Sequence, residues 1–217
     1  MYTFDLLCFC LSVTLYTTYN IYIRIRETAN PDYTIHGISR TARSQWVASI
    51  LEKKNGILAV QTLRNATMAS TFMASTSVLL AVGVLSLTGN GENVRHTWHS
   101  LNFFGSVEPG MFAFKILALL LNFFLAFFCF ASSLRLYTHV GFMLGAESGQ
   151  TNNAQLGGMA EKYLNMGANH FYLGMRAFYF TVPLVFWIFG AQFMIFGTVF
   201  LISIIFILDR TPQHKQD

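Results

Sequence analysis

Between Phe178 and Leu208 the chain runs without one charged residue. As a single straight helix that stretch would be roughly 46 Å long, whereas the hydrocarbon core of a bilayer is about 30 Å thick. Such a run belongs in lipid, and it is too long to cross once without tilting, kinking or stopping. Pro183, Gly190 and Gly197 are where it can bend, so one tilted, kinked span is expected, with an interruption near Gly190-Ala191-Gln192 as the alternative. Three further apolar runs precede it. Only 11% of the residues are charged, against about a quarter in a soluble domain, so the pattern is that of a polytopic membrane protein. The net charge of +4 is spread over the segments between the runs. That suits topology and lipid headgroups and gives no reason to expect a nucleic-acid partner.

The runs predict an all-α membrane protein of about four transmembrane helices, at about residues 4–23, 66–87, 112–134 and 178–208. In the first, Asp5 lies at the outer edge, Tyr16, Tyr19 and Tyr22 gather at the far end, and Arg24 and Arg26 close it. It lacks the basic region and cleavage site of a removable signal peptide, so it is expected to stay as an anchor. Cys8, Cys10 and Cys129 sit in apolar surroundings without a CxxC partner and read as packing residues.

The connections at 24–57 and 135–177 are long and polar, and each is expected to carry an amphipathic helix. In the first, Trp46, Val47, Ile50 and Leu51 share one face, opposite Arg40, Arg43 and Ser44; membrane surface and the protein's own loops are equally good places for it to dock. Lys53-Lys54-Asn55-Gly56 breaks that helix. In the second, Tyr163, Met166, His170 and Phe171 share a side. Most basic residues fall in these two connections, so both are expected to be cytoplasmic, with both termini and the loop at 88–110 non-cytoplasmic. The halves repeat one plan of span, basic stop, surface helix and span, which reads as two helical hairpins in pseudo-repeat.

Several residues stand out as candidates. Ala66, Ser70 and Ala74 recur every four residues, and Ser77 and Ala81 continue the line; small residues at that spacing let helices pack closely in lipid. Just before them Gln61, Arg64 and Asn65 share a helical face. With Arg135, His139, His170 and Arg176 at similar depth they form a headgroup-level set able to hold a lipid phosphate or another anion. The plainer reading is that these are positive-inside residues with local partners. Asn122 is expected to bond another helix, and Lys115 to snorkel to the headgroups. His96-Thr-Trp-His99 has metal-ligand spacing, with Glu92 and Glu108 nearby, but an isolated HxxH is a weak signal. An interfacial loop anchored by Trp98 is the expectation there, with no metal. No GxSxG, HExxH, P-loop or paired intramembrane carboxylates occur, so neither catalytic residues nor a cofactor is expected.

Four segments carry a family resemblance: NGILAVQTLRNATMAST (Asn55 to Thr71), Arg43-x-x-Trp46-Val47, Arg135-x-Tyr137-x-His139-Val140, and LGMRAFYFTVPLVFWIFG (Leu173 to Gly190). They resemble the domain of unknown function 599 family, small integral membrane proteins of bacteria and plants, over about Thr17 to Leu208. The resemblance implies a multi-pass helical membrane protein, and a bacterial inner (plasma) membrane is the expected location. It brings no established activity, substrate or cofactor, and so transfers no functional residue. The expected role is a structural or accessory component, packing as a homo-oligomer or in a larger complex with membrane lipids around it. The alternative is a small-anion or lipid transporter that uses the boundary residues.

Overall fold

The computed structural model describes residues 2–89, 109–145 and 153–211. Its elements are α1 (Tyr2–Ala29), a 3-10 turn (Pro31–Tyr33), α2 (Ile35–Glu52), α3 (Gly56–Gly89), α4 (Pro109–Gly145), α5 (Asn153–Phe189) and α6 (Ala191–Asp209). Every helix except α2 is long and apolar enough to cross a membrane. The protein is therefore an all-α, multi-pass integral membrane protein, with five candidate spans among the described residues where the apolar runs predict about four.

The difference arises at Gly190. The apolar stretch 178–208 does not kink as one span but divides there, into the end of α5 and the whole of α6. The two helices then fold back on each other: a Cβ on Gly197 would lie 2.8 Å from Phe186 and 3.4 Å from Pro183. The 19 residues of α6 rise about 28 Å, one hydrocarbon thickness. The second expected connection is likewise mostly helix. Residues 135–145 extend α4 and 153–177 begin α5, because Tyr137, Val140, Leu144, Ala160 and Leu164 keep an apolar stripe to bury there. Among the described residues α2 therefore has no counterpart in the second half, and the expected repeat of two hairpins breaks at that point.

Short polar segments set the helix ends. Asn30 accepts from the Asp32 amide at 3.1 Å to start the 3-10 turn, with Pro31 in its first position. Thr34 then accepts from the Gly37 amide at 3.1 Å and caps α2. At the other end of α2, Lys54 takes a left-handed conformation (φ 50°). The Asn55 amide bonds the Ile50 carbonyl at 3.1 Å and the Lys54 amide the Leu51 carbonyl at 3.4 Å, a Schellman stop with lysine where glycine is usual. Asn55 also starts α3, its side chain accepting from the Leu58 amide.

The described helices gather into two compact units. The first comprises Met1–Ile38, Leu79–Phe123 and Ala177–Asp217, the second Ser39–Val78 and Phe124–Arg176. In the first, α1 and α6 run parallel. Asp5, near the start of α1, meets Trp187 just before α6 begins, while Tyr19 meets Asp209 at its end. An antiparallel bridge joins Thr34 to Arg210, and the Thr211 hydroxyl donates to the Asp32 carbonyl at 2.7 Å. The start of α1 and the end of α6 thus lie at opposite ends of this unit, whereas four crossings would have returned both to one side. Its core includes Cys8, Tyr16, Leu119, Phe123, Leu184, Trp187, Met194 and Ile205.

In the second unit α2 lays Val47 and Ile50 against Ala59, Leu63, Val140 and Leu164. Its apolar face is therefore used within the protein. Antiparallel α4 and α5 meet where glycines sit under aromatic rings. A Cβ would come within 2.9 Å of Tyr137 at Gly167 and 2.8 Å of Phe130 at Gly174. Both glycines and both rings are seven residues apart, the spacing of a left-handed seam.

Candidate functional site

The headgroup-level candidates all fall in the second unit, on three helices. Gln61, Arg64 and Asn65 are exposed on α3; Arg135 and His139 are exposed on α4; His170 is half-buried and Arg176 buried on α5. The helix register sets their levels. Ser70 lies 3.4 Å from Ser133 across α3 and α4, and Leu63 approaches Gly141, so Arg64 stands level with about His139. Gly167 beneath Tyr137 and Gly174 beneath Phe130 put His170 near the level of Arg135. Arg176 sits more than a turn deeper, near Phe128. No hydrogen bond or ion pair among the described residues joins any two of these seven side chains. Arg176 instead donates to the Tyr172 hydroxyl and stacks on that ring at 4.7 Å.

The small-residue line of α3 faces the other way: Ser70, Ala74, Ser77 and Ala81 are buried and Ala66 is half-buried. Ser70 and Ser77 donate to carbonyls of their own helix four residues back, which hides their hydroxyls and lets neighbours approach. On α4, Asn122 donates to the Ala177 carbonyl at 2.9 Å and to Thr181 at 3.0 Å, both on α5. That is a helix-to-helix bond, satisfied on the spot. His96 and His99 lie outside the described residues.

One contact in this unit is not signalled by periodicity. Arg43 donates from Nε to Asn165 Oδ1 at 2.9 Å, tying α2 to α5. The Arg43-x-x-Trp46-Val47 pattern marks the spot: the arginine and the buried Val47, four residues apart, share one face of α2.

The most concentrated polar chemistry lies in the first unit, where sequence reasoning placed an edge residue and a snorkelling lysine. Asp5 and Lys115 form a salt bridge at 3.2 Å, with side-chain exposures of 0% and 3%, so Lys115 does not reach the headgroups. Trp187 donates from Nε1 to the same carboxylate oxygen at 3.2 Å, and the Lys115 ammonium lies 5.5 Å from the indole centroid. Phe9 stacks on that indole at 4.7 Å, and Phe114 meets it edge-on at 5.9 Å. Three helices thus contribute one polar group each, walled by aromatic rings. The pair holds because each charge supplies what burial removes from the other: water is excluded, so an isolated carboxylate or ammonium here would be costly. Asp5 also sits in the first turn of α1, where the helix dipole favours an anion. Chemically the arrangement can lock α1, α4 and α5 in register. Its signal was present: Asp5 and Lys115 are the sole charges of their apolar runs, opposite in sign and near matching helix starts.

Among the described residues no group of three or more His, Cys, Asp or Glu side chains is placed to hold a metal ion. A family model described as a protein of unknown function, DUF599, matches residues 7–214. No curated protein and no solved structure matches the chain.

Proposed function

From the premise that this chain belongs to the DUF599 family, proteins of unknown function, we propose that it serves as a structural or accessory component of the bacterial inner membrane. It packs with copies of itself or within a larger membrane complex, and it carries out no catalytic step. The observation that carries this reading is the sealed Asp5–Lys115 pair. Ionisable groups that serve an ion or proton pathway often line a water-filled cavity or a relay of several such groups; these two are buried and bond each other and Trp187. Asn122 is likewise spent on α5. The transport alternative therefore lacks its usual machinery in the first unit, while large apolar side chains such as Leu7, Phe196 and Ile207, each more than 65% exposed, offer surface to lipid or to a partner helix.

The same reading assigns sides. Arg24, Arg26 and Arg210 lie toward the end of the first unit where Thr34 and Arg210 pair, and by the positive-inside rule that end is cytoplasmic. The start of α1 then faces outward. Sizing by light scattering, across a series of protein and detergent levels and in nanodiscs, tests the assembly. Oligomers or a stoichiometric complex are expected, and a lone monodisperse monomer under every condition would end the proposal.

A further inference from the structure

Gln61, Asn65, Met68, Phe72 and Leu79 follow one another at near-heptad steps along one side of α3, and all are exposed. Arg64 stands beside the first two. The opposite side of the helix is the buried one, with Ala59, Leu63, Ser70 and Ala74. Gln61, Arg64 and Asn65 are therefore turned away from the second unit, to which this part of α3 belongs, and no hydrogen bond among the described residues uses their side chains. From Ala66 to Gly89 the sequence holds no charged residue and no Asn or Gln. About 20 residues from Ala66 rise about 30 Å, one hydrocarbon thickness. The three polar groups consequently lie where hydrocarbon gives way to headgroups, on a surface that faces lipid.

Polar groups at that level are satisfied from outside the fold, by water or by lipid headgroups. A guanidinium offers a planar pair of donors that suits a phosphate, and two carboxamides beside it donate to phosphate or glycerol-ester oxygens. Deeper on the same side, Met68 (62% exposed) and Phe72 (70% exposed) stand about 5 and 10 Å beyond Asn65 along the axis. They form an apolar bed for an acyl chain. The geometry points to a binding site for one anionic phospholipid on the outer side of α3, its phosphate on Arg64 between Gln61 and Asn65 and its acyl chain along Met68 and Phe72. The site uses the exposed side of α3 and is independent of the assembly role proposed above. A protein partner on this surface would instead have to bring its own acid to Arg64.

The full chain, stripped of lipid in detergent, is titrated with phosphatidylglycerol, phosphatidylcholine and inorganic phosphate. Retained lipid is read by native mass spectrometry, and oligomer size is read on the same samples. Phosphatidylglycerol should be held in preference to phosphatidylcholine, and Arg64→Gln should cut its retention by about fivefold or more. Phe72→Ala should also lower retention with the charge intact, whereas Arg40→Ala, at an exposed position of α2, should leave it unchanged. The proposal is overturned if Arg64→Gln keeps the parent's lipid or if Arg40→Ala loses as much. Displacement of the lipid by millimolar inorganic phosphate, or loss of a bound protein in place of lipid, overturns it equally. Loss of lipid with unchanged oligomer size keeps this result separate from the assembly question.

Discussion

Asp5 and Lys115 are worth more together than either is apart. Removing one partner of a buried pair leaves an uncompensated charge and costs about 3–5 kcal/mol, while replacing both with apolar side chains is often close to neutral. Asp5→Asn or Lys115→Met alone should therefore lower the thermal midpoint of the detergent-solubilised protein sharply. Asp5→Leu combined with Lys115→Leu should recover most of the loss. A double variant no better than the sum of its singles would show that the two residues act separately. The ingredients of this site were legible as two lone charges in apolar runs. Their pairing was not, because it depends on α1 and α4 entering the bundle from the same end and on Trp187 arriving from the far end of the chain. Exposure at Gln61, Arg64 and Asn65 was also hidden: helical spacing groups the three on one face but does not say which way that face points.

At the scale of elements, the seam between α4 and α5 is built by removing side chains on one helix to make room for rings on the other. Gly174→Ala would push a Cβ into the Phe130 ring, and overpacking of this kind costs about 1–3 kcal/mol. Adding Phe130→Leu should return part of that loss. Gly158→Ala, on the same helix, meets nothing within 4 Å and should instead stabilise by about 0.5–1 kcal/mol, since alanine restricts the unfolded chain. Thermal unfolding of the three variants checks both signs, and equal behaviour of Gly158→Ala and Gly174→Ala would remove the steric account. At Gly190 the glycine signalled a kink and the structure makes a reversal, whereas the break at Lys53–Gly56 was readable from breaker residues. The fusion of 135–145 into α4 and of 153–177 into α5 was not, because polar residues such as Arg135, Lys162 and Arg176 look like the edges of spans. They decorate the outside or thread between helices, while a stripe of Tyr137, Val140, Ala160 and Leu164 carries the helices onward.

For the whole molecule, the parity of crossings decides where the ends lie. With α1 and α6 parallel, a cysteine introduced at Thr3 and one introduced at Thr211 should react with an impermeant maleimide from opposite sides of sealed vesicles. Labelling of both from one side would mean that α6 does not cross as a separate span. The apolar runs conveyed that this protein lives in a bilayer. They could not count its crossings, because 178–208 has the composition of one long span and becomes two segments only through a reversal at a single glycine.

The contact between Asp5 and Trp187 also sets a schedule for synthesis. The two residues are 182 positions apart, so at roughly 5–20 residues per second the ribosome needs on the order of ten to forty seconds to supply the indole after the carboxylate. Lys115 arrives between them. For that interval α1 sits at the membrane with an acid whose partners do not yet exist, and it must be sheltered by the insertion machinery or wait at the water interface. α6 follows both partners, and its end is tied to the segment after α1 through Thr34 and Arg210. A ribosome that stalls before α6 leaves Asp5 with its partners on α4 and α5, but the far end of α1 without the Tyr19–Asp209 bond and the Thr34–Arg210 bridge.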